Sequence, residues 1–300
     1  MHNSGLAIRA IAAPPSGQTS PQGQPGRYSR HMTQMVASTG AGVLAEFLEP
    51  GILRLTLDRP EQRNALTREL AGELRNHLAR ASSDPGVRVV IVAGNGTSFC
   101  AGADLGALTR DATTPAERRA LLAEYYRAFL DLRDLAVPTI AAVNGPAIGA
   151  GLNLALSCDL RLLAEGARLA APFLRLGIHP GGGCSWLLTR IAGTGSAREL
   201  LFRGRPISAQ RALELGLATA VVAADELKEE AERWARDIAA LPQPVVRDLK
   251  RTLNLAESGA SFEATLAFET AAQGESMGTT DAAEGWLAFR ERREPKFNDR

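Results

Sequence analysis

The chain has 300 residues, 45% of them hydrophobic, with 34 basic against 33 acidic side chains. That length can bury a full core. The balanced charge, without a Lys/Arg block, leaves no nucleic-acid footprint, and the apolar runs are too short to span a bilayer. The three cysteines, Cys100, Cys158 and Cys184, lack the even count and close spacing of a disulfide framework or zinc site. They read as small buried hydrophobes of a reducing compartment, and no metal is expected.

Residues 1–38 are rich in Pro, Gly, Ser and Gln without periodicity and read as a disordered extension. No acid precedes Glu46, and Arg9, Arg27 and Arg30 give the charge of an organelle transit peptide. The glycines and prolines would break the amphipathic helix of such a signal. A solvated extension, or a natural start at Met32 or Met35, explains the segment and implies a cytoplasmic protein, with a mitochondrial one as the alternative.

Val43–Phe47 and Ile52–Leu57 alternate as a hairpin around Glu49-Pro-Gly51. Leu66, Leu70, Leu74 and Leu78 have helical spacing, with Thr67 as N-cap, and predict a helix over 67–82. Val87–Ala93 reads as a buried strand. Pro115–Leu135 reads as a helix with Leu121, Leu122, Tyr125, Phe129 and Leu132 on one side, and Thr139–Val143 as another strand. A helix over 151–157 follows, then short strands at Asp159–Leu163 and Arg168–Ala170. From Asp225 the pattern turns helical over 227–241, 244–256, 261–274 and 281–292. The organisation expected is an extension over 1–38, an α/β core over 39–224 and a helical region over 225–300.

Two loops carry the chemistry. Phe99-Cys-Ala-Gly-Ala-Asp-Leu105 and Asn144-Gly-Pro-Ala-Ile-Gly-Ala-Gly-Leu-Asn153 each follow a predicted strand and lead into a predicted helix. Small residues there let the backbone approach a ligand, and the N–H groups at a helix start are unpaired. Two such loops can aim two N–H groups at one oxygen, which is how an enolate or tetrahedral oxyanion derived from a thioester is stabilised.

With Leu57-Asp-Arg-Pro-Glu-Gln-Arg-Asn-Ala-Leu66, Ser157-Cys-Asp159, Leu176-Gly-Ile-His-Pro-Gly-Gly-Gly183, Ile207-Ser-Ala-Gln-Arg-Ala-Leu-Glu-Leu-Gly-Leu217 and Glu284-Gly-Trp-Leu-Ala-Phe289, these loops make the chain resemble the enoyl-CoA hydratase/isomerase (crotonase) superfamily, from about Val43 to Phe297. The resemblance implies a spiral of ββα turns with a helical C-terminal region that packs on neighbouring subunits in trimers or hexamers. It implies oxyanion donors at the backbone N–H groups of Ala103 and Ala150. It also implies a coenzyme A thioester as substrate or ligand, with no permanently bound cofactor.

The adenine end of coenzyme A would lie near the segment Arg63, Asn64, Ala65 and Leu66, beside Ala101 and Ala103, with Asp104 and Leu105 next to them. Arg63 is a candidate phosphate contact, its alternative a solvated arginine. Arg292 matches a position that can reach the phosphates of a neighbour's coenzyme A. A dinucleotide reading of Gly149-Ala-Gly151 fails, because the third glycine of that fingerprint would fall on Leu154.

Two positions break the pattern. Hydratases of this superfamily ionise a water with two glutamates, which here become Asn153 and Phe173; neither exchanges a proton near neutral pH. The acid that isomerases often place after the proline of the Leu-Gly-x-x-Pro segment is Gly181. Three readings remain: a non-catalytic acyl-CoA carrier, sensor or subunit; an enzyme whose acid or base lies elsewhere; or an interaction protein on this scaffold. Replacement candidates are His179, whose alternative is a turn histidine that caps backbone, then Asp104, whose carboxylate suits a loop brace, and Tyr125 and Tyr126, which suit the acyl pocket.

Overall fold

The computed structural model describes residues 35–36, 40, 42–49 and 51–299. The extension expected over 1–38 lies outside the described residues except at Met35–Val36, which form a short strand rather than part of a disordered tail.

Strands β1 (Met35–Val36), β2 (Val43–Glu49) and β3 (Ile52–Leu57) pair antiparallel, the last two as the predicted hairpin. Helix α1 (Arg68–Ser83), with Thr67 capping the Leu70 N–H, leads to β4 (Val89–Gly94), parallel to β3. The one-turn helix α2 (Leu105–Leu108), then α3 (Pro115–Leu130) and a 3-10 turn, lead to β5 (Thr139–Val143), parallel to β4. A two-residue strand, β6 (Ala147–Ile148), precedes α4 (Ala150–Leu156), which starts one residue before its predicted position. Next come β7 (Leu160–Ala164), parallel to β5, and β8 (Arg168–Ala170), parallel to β6. After α5 (Cys184–Arg203), β9 (Ile207–Ser208) and α6 (Ala209–Glu214), β10 (Ala220–Val222) joins β7. Four helices end the chain: α7 (Leu227–Ala239), α8 (Gln243–Glu257), α9 (Phe262–Ser276) and α10 (Thr280–Glu291).

The strands form a seven-stranded sheet, β1-β2-β3-β4-β5-β7-β10, and a three-stranded one, β6-β8-β9. Twice in succession the chain lays one strand in the large sheet and one in the small sheet before its next helical turn, the ββα spiral expected from the sequence. Val90 and Val92 of β4 face a core shared with α1 and α3, whereas Val89 and Ile91 face α7. Burial on both faces explains why the parallel strands read as unbroken apolar runs. Each such side chain contributes on the order of 1.5–3 kcal/mol.

Helix α7 presents Leu227, Ala231, Ala235 and Ala239, spaced by four, to the second face of the sheet. The region expected to be helical over 225–300 therefore begins with a helix that packs directly on the sheet. Helix α8 docks through Lys250, whose ammonium reaches the Val137 carbonyl and the Asp159 carboxylate at 2.9 and 2.8 Å. Asp159 also accepts the Thr139 N–H and hydroxyl, tying the starts of β5 and β7 together. That is what the Ser157-Cys-Asp159 motif does structurally. Helix α9 contains no buried residue, and Leu249, Leu253, Phe262, Leu266, Trp286 and Phe289 of α8–α10 are exposed.

Helix α1 contains Gly72, where an added Cβ would meet nothing within 4 Å. Alanine costs less backbone entropy than glycine inside a helix, so Gly72→Ala is expected to stabilise the protein by about 0.5–1 kcal/mol, read as a higher midpoint in chemical denaturation.

Candidate active site

Glycines lock the two loops against each other. Any Cβ on Gly145 would run into the backbone of Thr97, and any on Gly151 into the carbonyl of Cys100, both closer than 3.0 Å. A Cβ on Gly102, whose φ is +101°, would lie 2.7 Å from the Ile148 carbonyl oxygen and 3.7 Å from the Ala150 nitrogen. Backbone bonds stitch the seam: the Cys100 N–H donates to Pro146 at 3.1 Å, and the Ile148 N–H donates to Cys100 at 3.0 Å. Ala103, next after Gly102, is thereby brought beside Ala150.

Ala150 is the first residue of α4, so its N–H has no acceptor within the helix. Ala103 bridges Leu66 through the Gly102 carbonyl, which accepts the Leu66 N–H at 2.8 Å. Among the described residues neither the Ala103 nor the Ala150 N–H donates to a backbone carbonyl. Gly149 sets the turn between β6 and α4 with φ 54° and ψ −113°, backbone open to glycine, while its N–H is held by the Ala170 carbonyl.

The candidate nucleotide segment is braced by one of its own residues, Asn64. Asn64 is fully buried, with φ 54°, and its amide donates to the Asn95 and Ser98 carbonyls while its oxygen accepts the Arg59 N–H. Asn is one of the few residues that tolerate the left-handed region. This clip, together with the Ala101 N–H to Arg63 carbonyl bond, holds Arg63, Ala65 and Leu66 against the first loop. The Arg63 side chain is exposed, and Ala65, Ala101 and Leu105 are half-buried.

Asp104 is exposed and caps α2 by accepting the Ala107 N–H at 2.9 Å, the loop-bracing role expected of it. Beside it a cleft of about 530 Å³ opens between the start of α1, the α2 segment and α3, with Leu108, Asp111 and Leu121 among its walls. Arg292 is exposed at the end of α10 and makes no hydrogen bond to either loop among the described residues.

Asn153, fully buried on the first turns of α4, donates through Nδ2 to the Gly181 carbonyl at 2.9 Å. Its Oδ1 is buried without a hydrogen-bond partner. Phe173 is 5% exposed, with its ring tip 4.0 Å from where a Cβ of Gly149 would stand. The two residues that the resemblance sets at glutamate positions are thus an amide with one free acceptor and an apolar ring. His179 is exposed, with Nδ1 2.8 Å from the Pro180 oxygen of its own turn. Tyr125 is buried and donates to the Leu66 carbonyl at 2.7 Å; burial raises its pKa, so it serves the first loop as a neutral brace. Cys100, Cys158 and Cys184 are free and buried, and burial pushes their thiols up to about 12.

The sequence profile of the enoyl-CoA hydratase/isomerase family matches residues 48–300. A probable enoyl-CoA hydratase of Mycobacterium tuberculosis, EchA14, is 43% identical over 209 residues, covering 70% of this chain and 80% of that protein. The 1,2-epoxyphenylacetyl-CoA isomerase of Escherichia coli is 35% identical over 252 residues, 83% of this chain and 96% of the isomerase. Among solved structures, an enoyl-CoA hydratase from Bacillus anthracis superposes with a TM-score of 0.80 at 35% identity, covering 86% of this chain and all of that one.

Proposed function

This chain belongs to the enoyl-CoA hydratase/isomerase family, and from that premise we propose that it binds acyl-CoA thioesters of fatty-acid or related acyl-CoA metabolism, with the thioester oxygen on the Ala103 and Ala150 N–H groups. The observation that carries this is the glycine-locked seam between the two loops, which leaves both N–H groups without backbone acceptors. Donors held in advance on a rigid backbone need no reorganisation as charge develops on an oxygen. Coenzyme A is the thioester carrier of the ligand, and its adenine end lies along Arg63–Leu66 and Ala101–Leu105.

The acid–base groups of a hydratase are absent from their positions. Buried Phe173 presents hydrocarbon, and Asn153 can hold a hydrogen bond but cannot move a proton. The Nδ1 of His179 lies against the Pro180 oxygen of its own exposed turn, which supports the turn-histidine alternative. A carrier, sensor or subunit on this scaffold is the second reading, favoured by that apolar ring beside the oxyanion loops. The exposed apolar side chains of α8–α10 support assembly with further copies of this chain, as a trimer or hexamer.

Calorimetric titration with saturated and 2-enoyl-CoAs, followed by assay of each binder at its conjugated double bond, tests the reading. Binding is expected, with hydration of crotonyl-CoA well below the roughly 10 s⁻¹ of a typical enzyme. A faster rate would refute the expectation of weak hydration and show that another residue supplies the acid or base. Absence of binding across the panel would refute the thioester site.

A further inference from the structure

The two candidate donors are held by different means. Ala150 is set by the first turn of α4, behind a Gly149 whose N–H is tied to the Ala170 carbonyl. Ala103 has no such element. Strand β4 ends at Gly94 and α2 begins only at Leu105, so the loop between them is regular only at isolated bridges. Its anchor is Leu66, which bridges Ala103 and whose N–H donates to the Gly102 carbonyl at 2.8 Å.

Leu66 is in turn fixed from a third segment. The phenol of Tyr125, on α3 and 59 residues away, donates to the Leu66 carbonyl at 2.7 Å. Both residues are buried, and among the described residues no backbone N–H donates to that carbonyl. The Tyr125 ring is clamped edge-on by Tyr126 and Phe129, with centroids 5.4 and 5.6 Å away, so its oxygen has one aim. Without the phenol the carbonyl would be buried and unpaired, a state that backbone relaxes to escape. The stretch free to relax is the one that orients Ala103, whereas Ala150 is fixed independently.

We propose that Tyr125 is a positioning residue for the Ala103 donor, holding it on the thioester oxygen through Leu66. This rests on the thioester reading above and concerns one of its two hydrogen bonds. The test compares butyryl-CoA with S-butyl-CoA, a thioether that keeps the chain and the nucleotide but lacks the carbonyl oxygen. Both are titrated calorimetrically into the full native chain, Tyr125→Phe and Phe129→Leu.

The native protein is expected to prefer the thioester about tenfold, the yield of one or two buried hydrogen bonds. Tyr125→Phe keeps the ring and its edge contacts, and should lose at least about threefold of that preference. The loss should fall on butyryl-CoA alone, with S-butyl-CoA affinity unchanged. Phe129→Leu disturbs the same aromatic cluster without touching Leu66, so it should lower the thermal midpoint and keep the preference. Tyr125→Met, apolar and adaptable, is the second variant if Tyr125→Phe does not fold.

An undiminished preference in Tyr125→Phe overturns the proposal and leaves the thioester reading intact. Equal weakening of both ligands overturns it too, because the phenol would then support the fold at large. So does a preference lost alike in Phe129→Leu. A native protein that binds the two ligands equally removes the thioester-oxygen contact itself.

Discussion

Replacing Ala150 by proline is expected to abolish acyl-CoA turnover, or acyl-CoA affinity if the protein only binds, while leaving the protein folded. Ala150 is the first residue of α4, a position where proline is tolerated because its missing N–H has no partner in the helix. The residue before a proline is restricted to extended backbone, and Gly149, at φ 54° and ψ −113°, sits near the mirror image of that region, which glycine alone can use. What the substitution removes is one donor, and what it adds is a ring where the bound oxygen would lie. Loss of such a donor typically costs on the order of 10²–10³ in rate. For a binder without turnover, one lost bond corresponds to about tenfold in affinity, and the ring adds to it. The measurements are acyl-CoA titration, turnover where there is any, and the far-ultraviolet circular dichroism spectrum. A folded variant with native binding and native turnover would show that Ala150 does not contact the thioester.

Gly151→Ala is expected to destabilise the protein by about 3 kcal/mol, at the upper end for overpacking a tight contact. Helix propensity predicts the reverse: Gly151 lies inside α4, and alanine is favoured over glycine there by about 1 kcal/mol. The sign is decided by the first loop, because the new methyl group would collide with the Cys100 carbonyl, Cβ and Sγ. The carbonyl belongs to backbone pinned by two hydrogen bonds across the seam and cannot retreat without parting the loops. Set beside Gly72→Ala, the same substitution should thus change stability in opposite directions. Urea denaturation of the two variants measures both, and a neutral or stabilising result at Gly151 would mean that the seam is compliant and does not hold the Ala103 and Ala150 donors in advance of binding.

Much of this was legible beforehand. The β2–β3 hairpin, α1 behind Thr67, and β4 and β5 as unbroken apolar runs were readable because period and capping are local properties. Helix α5 was not read. It is two helices joined at Gly193, whose φ of 77° and ψ of 162° interrupt the turn, and its apolar residues keep no single stripe. Helices α9 and α10 were read from their spacing, but that spacing could not say that their apolar residues would find no partner within this chain.

Asn153 and Phe173, at the positions where the resemblance would put glutamates, were visible in the residues themselves, and so was the pair of glycine-rich loops. The meaning of Gly181 was not. In the sequence it stands where the resemblance would put an acid; in the fold it is room made for Tyr126, from a helix laid down well before it in the chain. Likewise nothing local marks Asn153 as half-satisfied, because its one partner lies 28 residues away on another segment. Residue types, periods and the loop motifs are properties of neighbours along the chain, so they survive in one dimension. Which polar atom goes without a partner depends on how α3, α4 and the Gly181–Gly183 turn pack together, and only the folded chain brings those segments within reach of one another.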